Sequence, residues 1–133
     1  MNITADTNVL VRVIMRDDEA QARKALHALE GAERIAVAVP TWCELVWVLR
    51  GVYQLPRADI AGAVQALLAV ANLVTHRPAV DAGLAMLEAG GDFADGAIAH
   101  EGHALGGDVF VSFDAQAVKK LKAQGRAAQC LGA

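Results

Sequence analysis

The sequence predicts an α/β fold: a three-layer α/β/α sandwich with a central, mainly parallel sheet of four to five strands. Three observations support this prediction. Short apolar runs alternate along the chain with longer segments of helical periodicity, which is typical of a parallel sheet covered on both faces. Apolar residues make up 55% of the 133 residues, enough for one core in a single domain spanning residues 1–133. No repeat or low-complexity tract interrupts the alternation.

The first half of the chain begins with a short strand that brings Asp6 to a turn. Apolar residues at helical spacing follow it. The acids at 17–19 suit the positive N-terminal end of a second helix, which runs to residue 30. The continuous apolar run at 35–39 is expected of a strand buried on both faces, and Pro40 ends that strand. Helices are then predicted at 41–53 and 56–70.

The second half continues the alternation, with glycines closing most of its helices. The apolar run at 109–112 is predicted to be a second fully buried strand. The other predicted elements are a short strand at 73–75, helices at 78–89, 92–105 and 114–124, and a last edge strand at 128–131. Crossovers between parallel strands should be right-handed.

The net charge, the apolar stretches and the cysteines limit the classes of protein to which this chain could belong. The formal net charge of −3 does not by itself indicate a nucleic-acid-binding protein, because such proteins are usually basic. The longest apolar stretch, residues 61–74, is too short and interrupted to span a bilayer, and no signal-peptide pattern precedes the first strand. Cys43 and Cys130 show no metal-ligand spacing. We therefore expect a cytoplasmic protein without a membrane partner.

Five acids lie near the predicted ends of strands or starts of helices: Asp6, Glu44, Asp92, Asp95 and Asp114. Each has an ordinary structural explanation. Three of them suit helix N-caps, and Asp95 suits the first turn of a helix. Glu44 follows Thr41 at the spacing of a capping box. For any one acid taken alone, these explanations are the commoner ones.

Taken together, the acids favour a metal site. Asp6 and Asp114 each follow a predicted strand, while Glu44 and Asp95 each lie at the start of a helix. The carboxyl ends of parallel strands share one edge of a sheet, where ligands bind in α/β folds. Carboxylates crowded there repel one another, and no Lys or Arg is adjacent to any of them in the sequence. A hard divalent cation with oxygen ligands would neutralise them.

The same residues carry a resemblance to a known family. The four segments concerned are Asp6-Thr7-Asn8, the helix around Glu44, the run from Asp92 to Ala99, and Ser112-Phe113-Asp114. Their order and spacing resemble the four signatures of PIN domains, most closely those of VapC-type toxins from bacterial toxin–antitoxin pairs. The resemblance covers essentially the whole chain. Two positions depart from the pattern: Ser112 replaces a usual Thr, and Gly96 replaces a larger small residue, which is expected to loosen the start of its helix.

The resemblance implies a metal-dependent endoribonuclease, a hydrolase that cleaves the phosphodiester bonds of RNA with a metal-activated water. It implies Mg²⁺ as the cofactor, with Mn²⁺ as a substitute. The implied catalytic and metal-binding acids are Asp6, Glu44, Asp95 and Asp114. Around them, Asn8 and Ser112 would orient the carboxylates or the attacking water, and Asp92 would lie at the rim of the same site. The implied partners are RNA, a cognate VapB-type antitoxin and a second copy of the chain.

Substrate phosphates require cationic partners, and the sequence offers two groups. Arg12 and Arg16 lie four residues apart on the first predicted helix and therefore share a face. The second group follows later, at Lys119, Lys120, Lys122 and Arg126. A solvated charged surface is the alternative for both groups, and it is the commoner outcome for lysines on a C-terminal helix. The arginines are therefore the better candidates for RNA contacts.

Three other interpretations differ in the residues that they require. A receiver-like signalling domain would need a second acid beside Asp6 and a Lys after a late strand, and neither is present. A haloacid-dehalogenase-type phosphatase would need an Asp at position 8, which is Asn8. A non-catalytic domain that uses its acids as helix caps or to bind a metal is compatible with the sequence. A nuclease would cleave RNA when a metal ion is present, whereas this non-catalytic domain would not.

Overall fold

The structure, a computed structural model, describes residues 1–132, and the helices and strands alternate in this part of the chain largely as predicted. The helices are α1 (Thr7–Met15), α2 (Glu19–Gly31), α3 (Val39–Gly51), α4 (Arg57–Leu68), α5 (Arg77–Glu88), α6 (Phe93–Ala104) and α7 (Ala115–Ala123). The strands are β1 (Asn2–Thr4), β2 (Arg34–Ala36), β3 (Leu73–Val74), β4 (Phe110–Ser112) and β5 (Ala128–Cys130). The chain divides into two compact units, Met1–His76 and Arg77–Ala133.

The first unit is built on a three-stranded parallel sheet in the order β1-β2-β3. Ile3 lies opposite Ile35, which in turn lies opposite Leu73. Ile35 is fully buried, as are the apolar residues of the surrounding helices: Leu10, Trp42, Leu45, Leu49, Ile60 and Val64. The buried indole N–H of Trp42 donates a hydrogen bond of 2.9 Å to the hydroxyl of Thr75, so its polar group is satisfied.

The strand predicted at 35–39 ends earlier than expected. β2 stops at Ala36, and Val39 is already the first residue of α3. Pro40 therefore lies in the first turn of a helix and does not terminate a strand. The pyrrolidine ring suits this position because its fixed φ is helical and the missing N–H would have had no helical partner there. The apolar run is thus divided between the end of a strand and the start of a helix.

The second unit is built around the close approach of α5 and α6. A Cβ atom at Gly83 would lie only 2.7 Å from the ring of Phe93, and a Cβ atom at Gly96 would lie 2.8 Å from the Cβ of Met86 and closer still to the carbonyl oxygen of Ala82. The expectation that Gly96 loosens the start of its helix is therefore wrong. The missing side chain is what allows α6 to pack against the α5 backbone.

The two remaining strands, β4 and β5, form a parallel pair in the second unit, with Phe110 opposite Ala128. Both of these residues are partly buried and pack against the core formed by Met86, Ala99 and Leu121. Side chains that alternate with Phe110 point to the other face of the strand. On that face Val111 is 50% exposed, and Phe113, just after the strand, is 77% exposed. The prediction that this strand is buried on both faces is therefore wrong.

The strand pairing confirms one part of the predicted fold and corrects another. Every pairing in the described chain is parallel, as predicted. The strands are hydrogen-bonded as a three-stranded and a two-stranded sheet, so the expected single sheet of four to five strands is not found. The strands are only two or three residues long, and the sequence pattern identifies such segments without specifying their partners. Among residues 1–132, none of the helices is both long enough and apolar enough to cross a membrane.

Candidate active site

Asp6 lies at the end of β1 and is the N-cap of α1. Its Oδ1 accepts a hydrogen bond of 2.8 Å from the backbone N–H of Thr7. The carboxylate is exposed, and Oδ2 makes no hydrogen bond in the described part of the chain. The capping role predicted for Asp6 is thus confirmed. It occupies one of the two carboxylate oxygens and leaves the other available to a ligand.

Glu44 does not form the predicted capping box. Because α3 begins at Val39, Thr41 lies inside the helix and Glu44 lies in its second turn. The Glu44 carboxylate instead accepts a hydrogen bond of 3.1 Å from the hydroxyl of Thr7. Thr7 is 8% exposed and is the one buried polar residue in the described chain. Thr7 thus connects Asp6, its neighbour in sequence, with Glu44 on another helix.

Two acids of the second unit are helix N-caps, as predicted. Asp92 Oδ1 accepts a hydrogen bond of 3.0 Å from the backbone N–H of Ala94 at the start of α6. Asp114 Oδ1 accepts hydrogen bonds from two backbone N–H groups at the start of α7. The hydroxyl of Ser112 accepts a hydrogen bond of 2.9 Å from the backbone N–H of Asp114. Ser112 therefore fixes the backbone from which the Asp114 side chain projects.

Asp95 has the most unfavourable environment of the acids in the second unit. It lies half-buried in the first turn of α6, and within residues 1–132 its carboxylate forms no hydrogen bond. Burial raises the pKa of Asp95, and the negative charges of Asp92 and Asp114 raise it further. Asp92 and Asp114 therefore each lie close enough to Asp95 to repel its carboxylate, and a bound cation would relieve that repulsion.

The structure thus places the predicted site residues in two groups, each within one unit. Asp6, Thr7 and Glu44 form the first group, and Asp92, Asp95 and Asp114, with Ser112 behind them, form the second. Asn8 is exposed in the first turn of α1, beside the first group. Thr7 is the residue whose importance the sequence pattern did not reveal, because its partner Glu44 is 37 positions away.

The donor set of both groups fits a hard divalent cation. All the candidate ligands are oxygen atoms, and Mg²⁺ in proteins commonly takes one or two carboxylates and completes its shell with water. Across the described residues, no three His, Cys, Asp or Glu side chains converge closely enough to hold a metal ion by themselves. The set of four metal-binding acids remains a prediction.

The two arginines proposed for RNA contacts differ in the structure. Arg16 follows the last residue of α1 and has a left-handed conformation with φ of 52°, so it does not share a helical face with Arg12. Arg12 is held by three partners: Nε donates to Gln21 at 2.6 Å, and Nη1 donates to Asp17 at 3.1 Å and to the Tyr53 hydroxyl at 3.3 Å. The Tyr53 hydroxyl itself donates to Asp17 at 2.8 Å.

The substitution Tyr53→Phe tests this network. The hydrogen bond from Tyr53 is the largest cause that lowers the pKa of Asp17, and Arg12 adds to it. Removing the hydroxyl should raise the pKa of Asp17 toward its ordinary value, as measured by NMR titration of the carboxylate. Because the pKa is lowered in the folded state, Asp17 stabilises the fold above its ordinary pKa, and that contribution is lost as the pH falls through the lowered value. An unchanged pKa in the variant would show that the network does not persist in solution.

Comparison with protein families gives one match. A family model described as the PIN domain matches residues 3–123, from β1 to the end of α7. The matched segment includes residues of both compact units and all five acids singled out above. No curated protein and no solved structure matches the chain significantly.

Proposed function

This chain belongs to the PIN domain family, whose members are generally metal-dependent nucleases, and on that premise we propose that it is a Mg²⁺-dependent endoribonuclease. The observation that supports the proposal most strongly is the group around Asp95. Burial raises the pKa of Asp95, and the carboxylates of Asp92 and Asp114 raise it further, while Asp95 is half-buried and forms no hydrogen bond within residues 1–132. Such an arrangement lowers stability and is typical of functional sites.

The proposed catalytic residues are Asp6 and Glu44 in the first unit and Asp95 and Asp114 in the second. Their oxygen atoms would hold Mg²⁺, with Mn²⁺ as a substitute. When bound, the ion would make a water molecule more acidic and stabilise negative charge on the phosphoryl oxygens of the RNA. The chemistry therefore requires no nucleophilic side chain of the protein.

The surrounding residues of the chain hold these acids in place. The hydroxyl of Thr7 restrains Glu44, and the backbone N–H of Thr7 restrains Asp6. Asp114 is fixed by two backbone N–H groups at the start of α7 and by the contact of its own N–H with Ser112. Each of these bonds leaves other lone pairs of the carboxylate free. Asp6, Glu44 and Asp114 are thus positioned before any ligand arrives, which would lower the reorganisation that catalysis requires.

The test is cleavage of single-stranded RNA by the purified protein with Mg²⁺, with Mn²⁺ and with EDTA. Cleavage should require the metal. Asp6→Asn and Asp114→Asn should each lower the rate by about 100-fold or more, which is the typical effect of removing a group that stabilises charge in the transition state. Asp59→Asn, which changes an exposed acid in the first turn of α4, is the control and should leave the rate unchanged. Cleavage that continues in EDTA or in both variants would refute the proposal, and cleavage of DNA alone would refute its RNA component.

We further propose that the protein is the toxin of a VapBC-type pair in the cytoplasm, with an antitoxin and a second copy of itself as partners. Large apolar side chains at the surface support a protein partner. Trp47 is 70% exposed on α3, Val111 is exposed on β4, and Phe113 is exposed just after that strand. The oligomeric state is measured directly by light scattering of the purified protein. A monomer at all concentrations would refute the proposed homodimer.

A further inference from the structure

Helices α1 and α2 line a groove that includes Asn8, two residues after Asp6, the first of the proposed catalytic acids. The groove has a volume of about 530 Å³, within the range of small-ligand sites. Its polar lining residues are Asn8, Arg12, Gln21 and Lys24. The remaining lining is apolar and includes Ala25 and Ala28. In the described chain, no acidic and no aromatic residue lines the groove. Arg12 is paired with Asp17 at 3.1 Å outside this lining, so Lys24 is the cation of the groove that has no acidic partner.

Arg12 and Lys24 differ in the hydrogen bonds that they already form, and therefore in how they could bind an anionic ligand. Arg12 is fixed through Nε and Nη1 by its bonds to Gln21, Asp17 and Tyr53, while its Nη2 makes no hydrogen bond in the described chain. The guanidinium therefore offers free N–H groups from a fixed position. Lys24 is exposed, and among residues 1–132 it forms neither an ion pair nor a hydrogen bond. It is therefore available to a ligand.

We propose that this groove binds the phosphodiester backbone of the single-stranded RNA substrate, with Lys24 and Arg12 Nη2 contacting phosphate oxygens. This inference rests on the proposed nuclease function, because it assigns the groove to the substrate of that reaction. Asn8, which lines the groove, is two residues from Asp6 in the sequence, so a strand bound there would lie near one of the proposed catalytic acids.

The lining also indicates how RNA would be recognised. Without an aromatic side chain, the groove has no platform on which a base could stack, and contacts to phosphates carry no sequence information. We therefore expect the groove to bind strands of different sequence about equally well. An acidic peptide is the competing ligand. It is less favoured because the alanines offer no deep apolar pocket for the anchoring side chains that a bound helix requires.

The experiment measures binding of end-labelled oligouridylate and oligoadenylate to the full-length protein by fluorescence anisotropy in EDTA, at several salt concentrations. Lys24→Ala should weaken binding of both strands about 5-fold and lower the slope of log Kd against log salt by about 0.7, the value for one phosphate contact on a single strand. Arg23→Ala is the matched control. Arg23 is an exposed cation on the same helix, but it lines a different pocket together with Arg16 and Glu19.

Equal losses in Lys24→Ala and Arg23→Ala would overturn the inference, as would unchanged binding in Lys24→Ala. Binding of an acidic peptide that depends on Lys24, without any RNA binding, would also overturn it. A cleavage assay separates this inference from the proposed function. If the acids are required for cleavage but Lys24→Ala leaves KM unchanged, the groove assignment fails alone. If no cleavage occurs but RNA binding depends on Lys24, the nuclease proposal fails, whereas binding of RNA by the groove is supported.

Discussion

The substitution Asp95→Asn is expected to abolish RNA cleavage while making the metal-free protein more stable. Loss of activity should be about 100-fold or more, because a proposed metal-binding carboxylate is removed. The gain in stability follows from the environment of the side chain. The pKa of Asp95 is raised by burial and by Asp92 and Asp114, so the ionised carboxylate is less favourable in the folded than in the unfolded protein.

The gain in stability of Asp95→Asn should depend on pH, because the pKa of Asp95 is raised in the folded protein. A folded-state pKa above the ordinary value means that the folded protein binds more protons, so stability falls as the pH rises from the ordinary pKa through the raised one. Asparagine does not ionise, so the variant does not lose this stability as the pH rises. At neutral pH we expect the free energy of unfolding to rise by about 0.5 kcal/mol, a modest value because the group is only half-buried and is screened by solvent. Below the ordinary pKa of Asp95 the two proteins should be equally stable.

Chemical denaturation in EDTA, at neutral and at acidic pH, measures the difference. Addition of Mn²⁺ should then stabilise the wild-type protein more than Asp95→Asn, because a ligand that binds only the folded state stabilises it by mass action. A variant that is less stable than the wild type in EDTA, or one that retains full cleavage, would contradict the assignment of Asp95 as an uncompensated metal-binding acid.

The substitution Gly96→Ala is expected to destabilise the second unit by about 2 kcal/mol, a typical cost of adding a methyl group to a closely packed contact. The added Cβ would meet the Ala82 carbonyl oxygen and the Met86 Cβ. The first of these is part of the α5 backbone and cannot move aside as the end of a flexible side chain would. The better helix propensity of alanine, up to about 1 kcal/mol, offsets only part of the overlap.

Gly102→Ala is the matched control because it makes the same change in the same helix. A Cβ atom at Gly102 would have no neighbour within 4 Å, so only the helix propensity should act. We expect this variant to gain about 0.5–1 kcal/mol. Urea denaturation followed by far-UV circular dichroism gives both values. A shift of the same sign in the two variants would show that the close approach of α5 and α6 does not determine the stability of this unit.

The features predicted best from sequence are those set by local chemistry. Asp92 and Asp114 were assigned as helix N-caps, and both accept backbone hydrogen bonds at the positions expected. The helix after Pro56 begins at Arg57, because proline fixes the backbone just before a first turn. These signals act over two or three residues, so the sequence contains all the information that determines them.

The features that were predicted wrongly depend on residues far apart in the chain. Glu44 was assigned to a capping box with Thr41, but it bonds to Thr7, whose position beside it depends on the packing of α1 near α3. Gly96 was expected to loosen a helix, although its role is defined by Ala82 and Met86 on another helix. The identity of the candidate acids could thus be predicted from spacing, whereas their hydrogen-bond partners could not.

Both tryptophans of the protein, Trp42 and Trp47, lie on α3, with exposed fractions of 0% and 70%. Intrinsic tryptophan fluorescence therefore originates in the first unit alone. Trp42 would report its loss of structure, and Trp47 would report a molecule arriving at its surface. The second unit is silent to this probe but contributes helices α5–α7 to the far-UV signal. If the protein unfolds as one cooperative domain, the melting curves from tryptophan fluorescence and from far-UV circular dichroism should coincide. Separate curves would show that the two units unfold independently.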